Sequence, residues 1–462
     1  MSNELKCISP IDGSVLATRP AMTLSDAHKA VEKARVAQRD WSKRSLSDRL
    51  ATVHSAVQAI GAMNDEIVPE LAWQMGRPIR YGGEFGGVQE RAERMAELAV
   101  DALAPIVVEQ SDDFERYIIR EPHGVVLVIA PWNYPYMTAI NTVAPALIAG
   151  NTVMLKHSSQ TMLVGERMEK AFLDAGMPEG VFQNSFLDHE TTSTLIANKA
   201  FQFVNFTGSV EAGRTIERAA AGTFTGVGLE LGGKDPGYVM DDADLSAAVD
   251  TLIDGAMFNS GQCCCGIERI YVVESRIDEF VEKAVGIVSD YKLGSPLEEQ
   301  TTLGPMAHVR FAEHVRSQVD EAIKQGAKAL IDPGLFPEDQ GAYLMPQILT
   351  NVDHTMRVMT EESFGPVVGI MSVKDDDEAI RLMNDSYYGL TASLWTADAT
   401  RAAAIGDLIE TGTVFMNRCD YLDPSLCWTG CKDTGRGGGL SVIGFHNLTR
   451  PKSYHLKKSV QS

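Results

Sequence analysis

The segment Gly-Val-Val-Leu-Val-Ile-Ala at 124–130 has no polar face. A strand with one wet side alternates apolar and polar residues, so a run without alternation predicts a strand covered on both sides. Asn-Thr-Val-Met-Leu-Lys (151–156) and Phe-Gln-Phe-Val-Asn-Phe (201–206) repeat the pattern, with helix-period stretches such as 162–175 between them. That rhythm predicts an α/β fold with a parallel, doubly wound sheet. Upstream, Ala27, Ala30, Val31, Ala34 and Trp41 share one helical face, with Ser25 as the expected cap. Leu46, Leu50, Val53, Val57 and Ile60 share another. The second half keeps the rhythm without repeating the sequence: helices at 241–258 and 277–290, strands at 268–273, 367–373 and 391–395. The charged segment 112–120 and the C-terminal 450–460 read as strands that stay at a sheet edge, pair with each other, or pair with another subunit.

A chain of 462 residues, 44% of them hydrophobic, can bury several cores without disulfides or metals. No apolar run is long enough to cross a membrane, and the opening residues do not read as a secretory signal. With 41 basic against 62 acidic residues the net charge is −21, which disfavours nucleic acid and anionic membrane surfaces as partners. The seven cysteines form neither a disulfide framework nor a C-x-x-C pair, so no metal is expected and a reducing cytoplasm fits best.

Four short segments carry possible chemistry. In Asn-Ser-Gly-Gln-Cys-Cys-Cys-Gly (259–266), three adjacent thiols follow a predicted helix. A lone free cysteine is usually a small buried hydrophobe. In an extended segment, however, Cys264 would face away from Cys263 and Cys265, lining a cleft while its neighbours pack behind. Leu-Glu-Leu-Gly-Gly-Lys (229–234) places Glu230 between two leucines, where desolvation would raise its pKa towards that of a general base; an exposed turn glutamate is the plainer alternative. Pro-Trp-Asn-Tyr-Pro (131–135) follows the first buried strand, where such sheets bind ligands, and Asn133 can act there as an oxyanion donor or as an ordinary turn residue. Phe-Thr-Gly-Ser-Val-Glu-Ala-Gly (206–213) is a strand end, a tight turn and a helix start, the position of a phosphate cradle.

Together with LKHSS at 155 and EESFGPV at 361, these motifs resemble, in order and along nearly the whole chain, the NAD(P)-dependent aldehyde dehydrogenase superfamily. The resemblance implies two doubly wound parallel-sheet domains and a small oligomerisation arm. The coenzyme-binding domain would span 1–105 and 122–231, the catalytic domain 232–446, and the arm 106–121 and 447–462, giving a homodimer or homotetramer. It implies Cys264 as nucleophile, Glu230 as general base, and Asn133 with the Cys264 N–H as oxyanion hole. Trp132, Lys156, Ser159, Gly208, Ser209, Gly213, Glu362 and Phe364 would hold NADP or NAD.

Ser159 stands where NAD-specific members often carry Glu; Ser does not repel a 2′-phosphate, so NADP should be accepted, although Ser159 could simply cap a helix. The segments Trp-Thr-Gly-Cys-Lys (428–432) and Gly-Gly-Gly-Leu (437–440) depart from the family pattern. Tyr134, Asn141, Arg418, Asp420, Leu422 and Trp428 are the expected walls of the substrate funnel, with an Arg418–Asp420 ion pair as the structural alternative. Members that oxidise carboxylate-bearing semialdehydes often carry Arg where this chain has Asn141. The expected substrate is therefore a small or medium aliphatic or amide-linked aldehyde. A CoA-acylating enzyme and a non-catalytic protein of the same fold are the competing readings.

Overall fold

The structure, a computed structural model, describes residues 4–336 and 340–458. The run at 124–130 forms the strand Val125–Ala130, and all six of its residues are buried. Its side chains alternate between two separate cores: Val126, Val128 and Ala130 face one, Val125, Leu127 and Ile129 the other. It is flanked in parallel by Thr152–His157 and Phe203–Thr207, and the sheet continues to Phe182–Asn184 on one side and Gly226–Glu230 on the other. The chain order reverses between Val125–Ala130 and Phe203–Thr207, which opens a crevice at the carboxyl ends of those strands.

A second sheet of seven strands runs in the order 328–329, 347–350, 367–373, 267–273, 235–239, 391–395, 413–416, parallel except for its first short edge strand. Four residues, 231–234, carry the chain from the carboxyl end of Gly226–Glu230 to the start of Asp235–Val239. The carboxyl edge of one sheet therefore meets the amino edge of the other. The helix Leu245–Met257 leads through a turn holding the three cysteines into Ile267–Val273, which sets that turn at the same seam.

Three expectations need correction. The first helix, Leu24–Trp41, is capped by Thr23, whose hydroxyl accepts from the Asp26 N–H, and not by Ser25. The segment 435–446, expected in the catalytic domain, does not belong with the second sheet. Gly435–Arg436 pairs antiparallel with Leu229 and Glu230, and Leu440, Phe445 and Leu448 enter a core of the first sheet. Gly213 does not line the crevice; a Cβ there would lie 2.7 Å from a Leu231 methyl, so the glycine lets the helix Val210–Ala220 close onto the sheet. The charged strands pair with each other: Phe114–Pro122 lies between Ile106–Gln110 and Thr449–Lys457 in a separate three-stranded antiparallel sheet. Residues 459–462 of the expected arm, and 1–3 of the expected coenzyme domain, fall outside the described residues.

Replacing Gly213 by Val drives two methyls into Leu231. Overpacking of this kind costs about 1–3 kcal/mol, so the thermal midpoint should fall by several degrees in calorimetry, and an unchanged midpoint would show that the helix can shift freely.

Candidate active site

The crevice has a volume of about 870 Å³ and runs along the strand ends from Lys156 and Leu187, past Gly208 and Ser209, to Trp132, Glu230, Cys264, Glu362 and Phe364. Its deep end is built around a strained turn. Asn259, Ser260 and Gly261 are all left-handed, with φ of 54°, 55° and 67°. Such a backbone is costly for side chains with a Cβ, about 1–3 kcal/mol for each residue so held, and is fixed here by hydrogen bonds. The Asn259 amide accepts from Arg77 Nε (3.2 Å) and donates to the carbonyls of Asn133 and Gln262. The Ser260 hydroxyl donates to Gly304 O, and the Gln262 side chain spans Asn259 O and the Ala307 N–H. Gly261 is required by space as well, since a Cβ would fall 2.2 Å from Gly365 O.

The thiols sit in a turn, not in an extended segment, so simple alternation does not separate them. Their three Sγ atoms lie within 4.8 Å of one another. Cys264 alone reaches the crevice; Cys263 and Cys265 are buried and both contact Asp420 Oδ1, at 3.1 and 3.2 Å. Hydrogen bonds from the two neighbouring thiols hold the Cys264 thiol below its ordinary pKa, against the effect of burial. The backbone N–H of Cys264 has no partner among the described residues.

Asn133 is buried, and its side-chain N–H2 spends one donor on Gln262 O at 3.3 Å. The second remains available beside the Cys264 turn. Its carbonyl accepts from Arg77 Nη2 at 2.5 Å. Glu230, the last residue of Gly226–Glu230, is pushed up to about 7 by burial, a rise partly offset by hydrogen bonds from Thr207 and Asn205. The unusual Gly-Gly-Gly-Leu segment backs this carboxylate: a Cβ at Gly439 would lie 3.0 Å from Glu230 Oε1, and Gly439 pairs with Trp428 by hydrogen bonds of 2.8 and 2.9 Å.

At the other end of the crevice, Lys156 is buried, and burial lowers its amine to about 8. Ser158, not Ser159, caps the following turn by accepting from Gln160 N–H, and both serines line the crevice. Trp132 meets Phe364 edge-on at 5.5 Å. Phe364 is itself left-handed (φ 51°), held by its N–H to Glu268 Oε1, while Glu268 Oε2 takes the Ser363 N–H and the buried Lys234 ammonium at 2.5 Å. Glu362 is pushed up to about 8, first by burial and then by the Glu268 charge, and accepts from Gly233 N–H. A crevice of this length, with a helix start, an ammonium and an aromatic end in line, fits a dinucleotide.

Of the expected funnel walls, Tyr134, Leu422 and Trp428 pack in the same core as the cysteine turn. Asp420 supports Cys263 and Cys265, and Arg418 lies over the Tyr421 ring at 3.5 Å; the two form no ion pair with each other among the described residues. Asn141 is buried in the helix Pro135–Ile148, outside the crevice wall. The residues that sequence reasoning missed are Arg77, Glu84, Asn259, Lys234 and Glu268. Asn259 and Lys234 stand inside segments already singled out, but their roles, like those of Arg77, Glu84 and Glu268, depend on contacts between distant segments.

The profile of the aldehyde dehydrogenase family matches residues 1–454. A protein of Deinococcus radiodurans named succinate-semialdehyde dehydrogenase [NADP(+)] is 33% identical over 446 residues, covering 96% of this chain and 93% of its own. One of Escherichia coli K12 named succinate semialdehyde dehydrogenase [NAD(P)+] is 33% identical over 444 residues, covering 96% and 95%. The crystal structure of NADP-dependent glyceraldehyde-3-phosphate dehydrogenase from Bacillus halodurans, complexed with NADP, superposes with a TM-score of 0.93 at 32% identity, covering 99% and 96%. With the motifs, the two sheets and the crevice in agreement, the chain belongs to the aldehyde dehydrogenase family of NAD(P)-dependent enzymes.

Proposed function

We propose that this site oxidises a small or medium aldehyde to the carboxylic acid through a thioester on Cys264. One observation carries the reading: Cys264, the free donor of Asn133 and the carboxylate of Glu230 converge on one end of a dinucleotide-sized crevice. The Cys264 thiolate adds to the carbonyl carbon. The oxygen that takes up the charge is held by the Asn133 amide and the Cys264 N–H, donors typically worth about 3–4 kcal/mol each to such a transition state. When NAD or NADP is bound, its nicotinamide supplies the hydride acceptor. Glu230 then takes a proton from a water that cleaves the thioester, and the acid leaves. Lys156, Ser159 and the turn at Gly208 and Ser209 would hold the adenosine and pyrophosphate part; Glu362, Phe364 and Trp132 would hold the nicotinamide end. The names of the two curated relatives support a small aldehyde and the use of NADP.

The three-stranded sheet leaves Ile106, Val107 and Val108 exposed on its outer strand, which supports a homodimer or a dimer of dimers built there. Seven free thiols support a reducing, cytoplasmic location. No helix among the described residues is long and apolar enough to cross a membrane.

Cys264→Ala should abolish aldehyde oxidation, whereas Cys263→Ala and Cys265→Ala should slow it, because they only tune the neighbouring thiol. Near-normal turnover by Cys264→Ala in a reduced-cofactor assay would remove it as nucleophile.

Glu230 works as a base only when ionised. Turnover should therefore fall as pH drops through about 7 and level off above it. In Glu230→Gln that limb should vanish, leaving one burst of reduced cofactor per site and little steady turnover. An unchanged pH profile would assign the base elsewhere.

Ser159→Glu should raise the ratio of kcat/KM for NAD over NADP by about ten- to a hundredfold, since a carboxylate repels a 2′-phosphate at close range. Because Ser158 is the cap, stability should hardly change. A ratio that does not rise would mean that cofactor choice is set at another residue.

A further inference from the structure

The cysteine turn holds more donor atoms than aldehyde oxidation uses. One thiol suffices as nucleophile, yet three Sγ atoms lie within 4.8 Å of one another, and those of Cys263 and Cys265 are 3.5 Å apart. A carboxylate closes the group from another segment: Asp420 Oδ1 is 3.1 Å from Cys263 Sγ and 3.2 Å from Cys265 Sγ. No lysine, arginine or histidine pairs with Asp420 among the described residues. The four donors are thus gathered without a cation of the protein's own.

Donor type and spacing both suit a metal ion. Thiolate is the ligand that thiophilic cations prefer, and three cysteines with a fourth ligand make a familiar zinc set. With Zn–S bonds of about 2.3 Å, the corners of a tetrahedron stand ~3.8 Å apart. The separations in the turn, from 3.1 Å between sulfur and oxygen to 4.8 Å at most between sulfurs, bracket that value, so small side-chain movements close the donors on an ion.

Both walls of the site are pinned. Hydrogen bonds of Asn259, Ser260 and Gln262 hold the turn. On the other side, the Asn417 amide accepts from Thr396 N–H and donates to Thr396 O, the Ser393 hydroxyl donates to Arg418 O, and Cys419 Sγ donates to Thr251 O. Cys264 lines the crevice, which gives an ion its way in. No C-x-x-C spacing announces such a site, because three ligands are adjacent and the fourth stands 155 residues beyond Cys265.

We propose that Cys263, Cys264, Cys265 and Asp420 bind one thiophilic divalent cation, with Zn²⁺ as the type, and that the bound ion holds Cys264 out of reaction. Each metal–sulfur bond forms on a thiolate or replaces an S–H bond; the protons leave to water, and nothing is oxidised or reduced. The sulfur lone pair that would attack an aldehyde is then committed to the metal. The silencing, but not the binding, rests on Cys264 being the nucleophile.

The test titrates the reduced full chain with Cd²⁺, whose bonds to thiolate absorb in the ultraviolet, and with Zn²⁺ against a chelator of known affinity. The wild type should take up one ion with the absorbance of three Cd–S bonds. Cys263→Ala and Cys265→Ala should each weaken binding about a hundredfold, and Asp420→Asn about tenfold. Zn²⁺ should stop turnover of the wild type, reversibly on adding the chelator, at concentrations about a hundredfold below those that stop Cys263→Ala or Cys265→Ala. Equal sensitivity of the three proteins would mean that the ion caps Cys264 alone and would overturn the proposal, as would fewer than three Cd–S bonds in the wild type. If the variants do not fold, the wild-type absorbance decides. A chain that binds the ion in this way but oxidises no aldehyde keeps the site and loses the reading of Cys264; one that oxidises aldehydes and binds no ion loses only the site.

Discussion

The guanidinium of Arg77 and the carboxylate of Glu84 lie 2.5 Å apart with almost no exposure, and three separate segments are fixed by that pair. Arg77 spends its other donors on Asn133 O and Asn259 Oδ1. Glu84 spends its second oxygen on the N–H groups of Tyr136 and Met137, at the start of Pro135–Ile148. The amide that would hold the oxyanion and the strained turn before Cys264 are thus referred to one point. A buried pair is not by itself a large source of stability, because desolvation offsets the attraction. Its value here is positional: with all three guanidinium nitrogens and both carboxylate oxygens engaged, neither Asn133 nor the turn can drift without breaking a bond to a charge in the core.

Lys234 and Glu268 do the same on the opposite wall. Lys234 ends the Leu-Glu-Leu-Gly-Gly-Lys segment, and Glu268 follows the cysteine turn, so their bond ties two motifs that the sequence presents 34 residues apart. Glu268 also fixes the N–H groups of Ser363 and Phe364. The left-handed Phe364 is sustained by this anchor, and its ring meets Trp132 from the first sheet. The seam between the sheets is consequently set by hydrogen bonds to ionised side chains, which fix direction as well as distance.

Much of this was legible in the residues. Unbroken apolar runs and helix-period stretches located the strands and helices, because burial on two faces or on one stripe leaves a periodic trace. Cys264, Glu230 and Asn133 were legible because unusual residue types stood next to turn residues. Gly213 misled because glycine serves a tight turn, a phosphate approach and helix packing equally well, and only the position of Leu231 decides. The thiols misled because alternation presumes an extended chain, and the left-handed residues before them were not evident. Segment 435–446 was assigned to the wrong lobe because a return crossing leaves no trace in composition. Arg77, Glu84, Lys234 and Glu268 were invisible for a related reason: a buried pair is indistinguishable from two surface charges until the fold joins them.

Glu230 and Glu362 show how the same side chain is tuned twice in one crevice. Burial is the larger cause for both, but the corrections differ in sign. At Glu230 the hydrogen bonds from Thr207 and Asn205 pull against burial and leave it near 7. At Glu362 the charge of Glu268 adds to burial and takes it to about 8. Near neutrality the first is divided between its two forms, while the second is mostly protonated. A group that must accept a proton and later release it benefits from that division. A group proposed to hold a ribose needs only to hydrogen-bond, and a protonated carboxyl can both donate and accept. Moving Glu268 would therefore disturb Glu362 first, and filling the space behind Gly439 would disturb Glu230 first, because each carboxylate is set by a different neighbour.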